Sequence, residues 1–98
     1  MTVVEIKEIN YPSITIVFDN GTISTIDMVD YFSEVDNPLI EKILKNEASF
    51  NTVSVEFGAL VWYDVGFNPD EMFEWVQKRA HKTSAKLLQT LRNLVRKS

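Results

Sequence analysis

Hydrophobic and polar residues alternate in two segments near the start of the chain, VVEIKEI and SITIVF. Alternation with a period of two is typical of a β-strand that buries one face. The first segment places Val4 and Ile6 on the same side. The second places Ile14, Ile16 and Phe18 on the same side. Two strands are therefore predicted, and these side chains are candidates for the core.

A turn signal separates the second of these segments from a third, TISTIDM. Asn20 and Gly21 form the residue pair that most readily takes positive φ at both central positions of a two-residue hairpin turn. The pattern predicts that SITIVF and TISTIDM pair antiparallel through a type I′ turn.

Helical spacing replaces the alternation after this hairpin. Asp27 or Asp30 is placed to cap a short helical turn through MVDYFSEV. Asn37 and Pro38 are the residue types favoured at the cap and the first position of a helix, here PLIEKILKN. The apolar face of that helix consists of Leu39, Ile40, Ile43 and Leu44.

Strand alternation returns in TVSVEF, where Val53, Val55 and Phe57 lie on one side. Gly58 then offers a tight turn before LVWY, so a second hairpin is predicted. Alternation also sends Trp62 and Tyr63 to opposite faces. We expect Trp62 inside the core and Tyr63 at a surface where a partner binds.

The clearest helix start is FNPDEMFEWVQKRAHK. Asn68 stands at the cap, Pro69 at the first helical position, and Glu71 three residues after the cap. The element order is then ββ(β)αββα. This order predicts an α+β fold, in which a small antiparallel sheet built of hairpins carries helices on one face.

The end of the chain, KTSAKLLQTLRNLVRKS, has the spacing of an amphipathic helix. Either Thr83 or Ser84 caps a separate helix, or the helix from Pro69 runs straight through. A helix of this length is marginal in water, so its apolar face must be buried against its own sheet, a second copy or a different protein. The apolar face comprises Leu87, Leu88, Leu91, Leu94 and Val95. We therefore divide the chain into an α+β domain over 1–80 and a basic amphipathic C-terminal helix over 81–98.

Charge is distributed unevenly along the 98 residues. Residues 1–74 hold 14 acidic and 3 basic side chains, a net charge of −11, and residues 75–98 hold 7 basic side chains and no acidic ones, a net charge of +7. The two parts attract each other, or the basic part attracts an external anion. The chain lacks cysteine, a secretory signal pattern and an apolar run of membrane-spanning length, so we expect a cytoplasmic protein that does not enter the membrane.

Catalytic motifs are not recognised. His81 stands among basic residues, and helix capping accounts for Asp70 and Glu71, which with Asp64 surround the turn after Trp62. There is no glycine-rich phosphate loop, nucleophile elbow or histidine spacing for zinc. The protein is expected not to be an enzyme and to need no cofactor, metal or small-molecule substrate.

The segments IVFDNGTISTIDMVDYF and VEFGALVWYDVGFNPDEMF, with Phe50 between them, resemble a bacterial family known as domain-of-unknown-function family 2442. The resemblance covers roughly residues 3 to 75. It implies a compact α+β domain, fused in some members to a helix-turn-helix and encoded in others beside a second small protein, as in toxin and antitoxin pairs. It implies no catalytic residue. Tyr63 departs from the family, where proline is common after the tryptophan, and residues 76–98 extend past its usual end.

Two classes of function follow. The first is a protein-interaction module, either homo-oligomeric or one member of a toxin-antitoxin-like pair, that uses Tyr63 and the apolar face of the C-terminal helix. The second is an accessory nucleic-acid-binding or transcription-regulator domain. Its candidate residues are Lys78, Arg79, Lys82, Lys86, Arg92 and Arg96. We favour the first, because the acidic body repels phosphate.

Overall fold

Two three-stranded antiparallel sheets and four helices make up the computed structural model, which describes residues 1–79. The elements in chain order are β1 (Val3–Asn10), β2 (Ser13–Phe18), β3 (Ile23–Asp27), α1 (Met28–Phe32), α2 (Ile40–Leu44), α3 (Glu47–Phe50), β4 (Ser54–Glu56), β5 (Ala59–Trp62), β6 (Val65–Phe67) and a helix α4 over residues 69–79. The α+β class is confirmed, although the strands form two sheets where one was expected. The predicted domain boundary and the C-terminal helix lie outside the described residues.

The first sheet has the order β1-β2-β3. The prediction for β2 is confirmed, because its three alternating apolar residues are fully buried. The strand β1 forms as predicted and Ile6 packs against the core, but the prediction that Val4 shares its face is wrong: Val3 is buried, whereas Val4 is 56% exposed. Two register shifts in the pairing of β1 with β2 explain the difference. Each shift adds a residue to one strand and turns the next side chain to the other face, so Val3, Ile6 and Ile9 point toward the core at intervals of three.

The hairpin between β2 and β3 is confirmed, but its turn is not type I′. Its loop has three residues and is closed by hydrogen bonds from Phe18 N to Thr22 O (2.8 Å) and from Gly21 N to Phe18 O (2.9 Å). Within this loop only Gly21 takes a positive φ, of +87°. The side chain of Asn20 instead accepts a hydrogen bond from Thr22 N at 3.0 Å. Such a loop is the next commonest hairpin connection after the two-residue turns.

The second sheet, β4-β5-β6, contains the two-residue turns. Phe57 and Gly58 join β4 to β5 with φ of 51° and 77°, and Tyr63 and Asp64 join β5 to β6 with φ of 51° and 63°. Positive φ at both central positions is the mark of a type I′ turn. The strand β6 was not predicted, because it has only three residues with Gly66 at its centre.

Residues at the start of the chain join the two sheets. Val3 N donates to Gly58 O at 2.7 Å, and Asp19 N donates to Thr2 O at 2.8 Å. In return, Thr2 donates from its backbone N (3.2 Å) and its Oγ1 (3.1 Å) to Asp19 Oδ2. The first hairpin, the start of β1 and the β4–β5 turn are therefore held together by one short segment.

The helix starts largely follow the predicted caps. Asp27 caps α1, and Asn68 Oδ1 accepts from the amides of residues 70 and 71 at the start of α4. Asn37 Oδ1 accepts from Leu39 N at 2.9 Å, but α2 begins at Ile40, two residues after the predicted start at Pro38. The predicted apolar face of α2 does pack against the core.

Trp62 lies at the centre of the core, as predicted. It is fully buried with its neighbour Leu60, and its ring contacts the rings of Phe32, Phe50 and Phe67 with centroid distances of 5.6 to 5.8 Å. Its Nε1 donates to Phe50 O at 2.9 Å. The second sheet is thus fixed to α1 and α3 through one side chain.

Tyr31 is expected to make the stability of the fold sensitive to alkaline pH. Burial, with a smaller contribution from Glu71, raises the pKa of its phenol above the ordinary value of 10.0. A raised folded-state pKa gives stability that is complete below the unfolded pKa and is lost as pH rises through the folded one. We expect the urea midpoint to fall above pH 10, and to fall less in Tyr31→Phe, which keeps the edge contact with Trp75 at 5.3 Å. If the urea midpoint fell equally with pH in the wild-type chain and in Tyr31→Phe, the effect would not come from Tyr31.

Candidate interaction surface

Phe57 is the most exposed large apolar side chain in residues 1–79, with a relative exposure of 106%. It was predicted to face the core with Val53 and Val55, and that prediction is wrong for Phe57. Val53 is buried and Val55 partly buried, but β4 ends at Glu56. The chain then enters the type I′ turn, which carries Phe57 into solvent.

The backbone at Phe57 is also unfavourable for its side chain. A φ of 51° lies in the left-handed region, which asparagine and glycine tolerate and bulky residues rarely adopt. Folding therefore gains nothing evident from phenylalanine here, since the ring is in water and the backbone is strained. A backbone outlier of this kind is grounds for a functional hypothesis.

A groove begins beside Phe57 on the outer face of the second sheet. Leu60 and Trp62 of β5 point into the core, so Ala59 and Val61 lie on the opposite face, where Ala59 is half-buried and Val61 is 9% exposed. Gly66 pairs with Val61 and shares this face, because a Cβ built on it would lie 3.8 Å from both Ala59 Cβ and Val61 Cγ2. These small side chains leave a cavity of about 350 Å³. We call it the outer groove, lined by Glu56, Phe57, Ala59, Val61, Asp64 and Gly66.

Carboxylates stand among the residues that line the outer groove, at Glu56 and Asp64. The described part of the chain as a whole holds 14 acidic and 5 basic side chains, a net charge of −9. The groove thus combines an apolar floor, one protruding aromatic ring and negative charge. This combination suits an apolar ligand that also carries positive charge.

A second cavity of about 330 Å³ lies between β3 and α4. Most of its polar side chains already make contacts within the fold, including Thr25 Oγ1, which shares a hydrogen bond with Thr15 Oγ1. Asp27 caps α1, Asp30 forms an ion pair with Arg79, and Arg79 lies 5.0 Å above the ring of Trp75. Trp75 Nε1 in turn donates to a carboxylate oxygen of Glu34. We therefore place the candidate site at the outer groove.

Tyr63, the predicted surface aromatic, lies in the β5–β6 turn and is partly buried. Lys42 Nζ is 4.1 Å from the centroid of its ring. The other predicted partner-binding residues lie outside the described residues; they are Leu87, Leu88, Leu91, Leu94 and Val95.

Two of the predicted nucleic-acid-binding residues fall in the described part, and each is paired with a carboxylate. Lys78 Nζ lies 3.1 Å from Glu74 Oε1, one helical turn away, and Arg79 pairs with Asp30. The remaining four lie outside the described residues; they are Lys82, Lys86, Arg92 and Arg96. The described end of α4 therefore presents basic groups that are already matched by acidic ones.

Of the acidic residues weighed for catalysis, Asp64 lines the outer groove, while Asp70 and Glu71 make contacts at the start of α4 through the Asp70 carboxylate and both backbone amides. Asp70 Oδ1 lies 3.1 Å from the amine of Met1 and raises the pKa of that amine, and the backbone amides of Asp70 and Glu71 donate to the cap Asn68. Residues 1–79 contain no group of three or more histidine or carboxylate side chains placed to hold a metal ion. Over the same range, no helix combines the length and apolarity needed to cross a bilayer.

In a comparison with known families, residues 3–78 match the family described as Protein of unknown function (DUF2442). The chain belongs to this family. The match confirms the resemblance drawn from the residues. The outer groove lies inside the DUF2442 segment, whereas residues 79–98 lie beyond it. Neither a curated protein nor a solved structure matched the chain.

Proposed function

We propose that this DUF2442 chain is a cytoplasmic protein-interaction module that binds a basic, amphipathic segment of a partner protein in the outer groove. The proposal rests on Phe57. Its aromatic ring is fully exposed, its backbone has a positive φ, and it lies beside a floor of small apolar side chains. Aromatic side chains, phenylalanine among them, are enriched in protein interfaces, where a few buried anchor residues supply most of the binding energy.

The relative magnitudes explain how such a site works. Removing a phenylalanine ring from water contributes about 1.5 to 3 kcal/mol. An exposed ion pair contributes about 0 to 1 kcal/mol. Phe57 and the apolar floor therefore supply most of the affinity, while Glu56 and Asp64 select a basic partner and speed its approach.

Substitution of Phe57 by asparagine tests this function, because folding and binding respond in opposite directions. Asparagine is favoured in type I′ turns, so Phe57→Asn is expected to raise the free energy of unfolding by up to about 1 kcal/mol. Loss of the anchor is expected to weaken binding at least about tenfold. The binding probe is a labelled peptide of leucine and lysine with helical spacing, followed by fluorescence anisotropy, and stability is followed by urea denaturation.

Ile23→Thr serves as the matched control, since Ile23 is an exposed apolar residue (55%) in the other sheet. It is expected to leave peptide binding unchanged. Equal losses in both variants, or no loss in Phe57→Asn, would refute the outer groove as the binding site. Binding of random duplex DNA in place of the peptide would instead support the nucleic-acid function.

A further inference from the structure

We infer that the segment bound in the outer groove is residues 82–98 of a second copy of this chain, exchanged reciprocally to form a closed dimer. The inference rests on the proposed function, because it names the occupant of the same groove.

Charge is the first reason. Residues 80–98 carry 5 basic side chains and no acidic one, a net charge of +5, whereas residues 1–79 carry −9. The carboxylates of Glu56 and Asp64 lie at the groove that the segment would enter. The chain thus contains, in one sequence, an acidic receptor surface and a basic ligand.

Apolar complementarity is the second reason. The groove floor is made of small side chains, and the C-terminal segment supplies four leucines and a valine at helical spacing. Large side chains on one partner and small ones on the other allow close approach, as in the interdigitated packing of protein interiors. Phe57, at the rim, then packs beside the leucines.

The path of α4 favours a second copy over the same chain. Met72 is fully buried and the ring of Phe73 lies 5.0 Å from that of Phe18, so α4 packs against the core. Its last described residue, Arg79, pairs with Asp30 in the helix that follows the edge strand β3. Arg79 lines the cavity between β3 and α4 and is not among the residues that line the outer groove, so the described part of α4 ends at a different surface from that groove. The groove of a second copy is open from solvent.

The available length also fits. The 19 residues after Arg79 would extend roughly 28 Å as a helix, about the diameter of a small domain. A segment of that length spans from one body to the next. Reciprocal exchange gives two identical contacts related by a twofold axis, which closes the assembly at a dimer.

Two variants test the groove and the C-terminal segment separately. Gly66→Val fills the groove floor, and a Cβ there meets only ordinary contacts at 3.8 Å, so the fold is expected to persist. Leu88→Glu with Leu91→Glu disables the ligand. In sedimentation equilibrium the full-length wild-type chain is expected to dimerise, and each variant alone to dissociate with a Kd at least about tenfold higher.

Mixing the two variants gives the decisive result. The Gly66→Val chain retains an intact ligand segment and the leucine variant retains an intact groove, so an equimolar mixture is expected to form a heterodimer held by one of the two wild-type contacts, with a Kd above that of the wild-type dimer and below that of either variant alone. Lys86→Gln with Arg96→Gln is expected to weaken the wild-type dimer only a few-fold, because exposed charges contribute little. A wild-type chain that stays monomeric, a Gly66→Val chain that dimerises like wild type, or a mixture that stays monomeric would each overturn the inference.

The peptide probe distinguishes a failure of the inferred dimer from a failure of the proposed function. If the full-length chain is monomeric and the leucine variant binds the probe through Phe57, the groove is a binding site for another partner and only the inference falls. If the leucine variant binds the probe more tightly than a monomeric wild-type chain does, residues 82–98 cover the groove of their own chain. That result also overturns the inference of a reciprocal exchange between two copies. If no variant binds the probe, both proposals fall.

Discussion

Replacing Trp62 with alanine is expected to lower the free energy of unfolding by about 3 to 5 kcal/mol. Trp62 is fully buried, contacts three aromatic rings, and donates through Nε1 to Phe50 O. A 98-residue chain has a total stability of about 5 to 15 kcal/mol. The variant is therefore expected to lose a substantial part of that stability and to unfold at a much lower urea concentration, as measured by circular dichroism.

Two further variants show which part of the indole matters. Trp62→Phe retains a ring in the core and removes one of two donors to Phe50 O, which still accepts from Val53 N at 3.3 Å, so losing this hydrogen bond is expected to cost about 0.5 to 1.5 kcal/mol. Trp75→Phe removes the other indole, whose Nε1 donates to Glu34 at an exposed position, and is expected to cost less than about 1 kcal/mol. If Trp62→Ala and Trp75→Phe destabilised the chain equally, Trp62 would not be the centre of the core.

Features set by local chemistry were predictable from the sequence. The buried face of β2, the helix cap at Asn68 and the inward orientation of Trp62 all follow from residues within one strand or one helical turn. Periodicity reports a buried face directly, and a cap needs only a side chain three residues or fewer from its amide. These signals do not depend on the rest of the fold.

Features set by strand pairing were not predictable in the same way. Two register shifts in β1 depend on β2, so the sequence of β1 alone indicated Val4 where Val3 is buried. The type I′ turn was assigned to Asn20 and Gly21 on residue preference, yet such turns occur at Phe57–Gly58 and at Tyr63–Asp64. Pairing of the flanking strands overrode the preference of the turn residues.

The outer groove was missed for the same reason. Its floor combines Ala59 and Val61 of β5 with Gly66 of β6, and β6 was not predicted. The sequence feature that could have revealed the groove was the short distance from LVW to the turn on each side of it. With two-residue turns on both sides of β5, Phe57 falls outside the strand, and alternation places Ala59 and Val61 on the face opposite Trp62.

Gly58→Ala is expected to destabilise the chain by about 2 to 5 kcal/mol, for two reasons that add. A φ of +77° is unfavourable for any residue with a Cβ, at a cost of roughly 1 to 2 kcal/mol. A Cβ at this position would also lie 2.6 Å from Thr2 Cβ and Cγ2, a clash that costs about 1 to 3 kcal/mol when the neighbour cannot move. Thr2 is held by its hydrogen bonds to Asp19, and the next residue by the bond from Val3 N to Gly58 O.

Gly21→Ala measures the cost of the positive φ without the cost of a clash. Its φ of +87° presents the same backbone problem, but no atom lies within 4 Å of the added Cβ, so only about 1 to 2 kcal/mol is expected. Adding Thr2→Gly to Gly58→Ala removes both clashing atoms together with the Oγ1 hydrogen bond to Asp19, so it should recover part of the stability lost to the clash, as measured by urea denaturation. If Gly58→Ala were no worse than Gly21→Ala, residues 1–3 would be free to move aside. The segment that joins the two sheets would then be a loose contact, and the position of the outer groove relative to the first sheet would not depend on it.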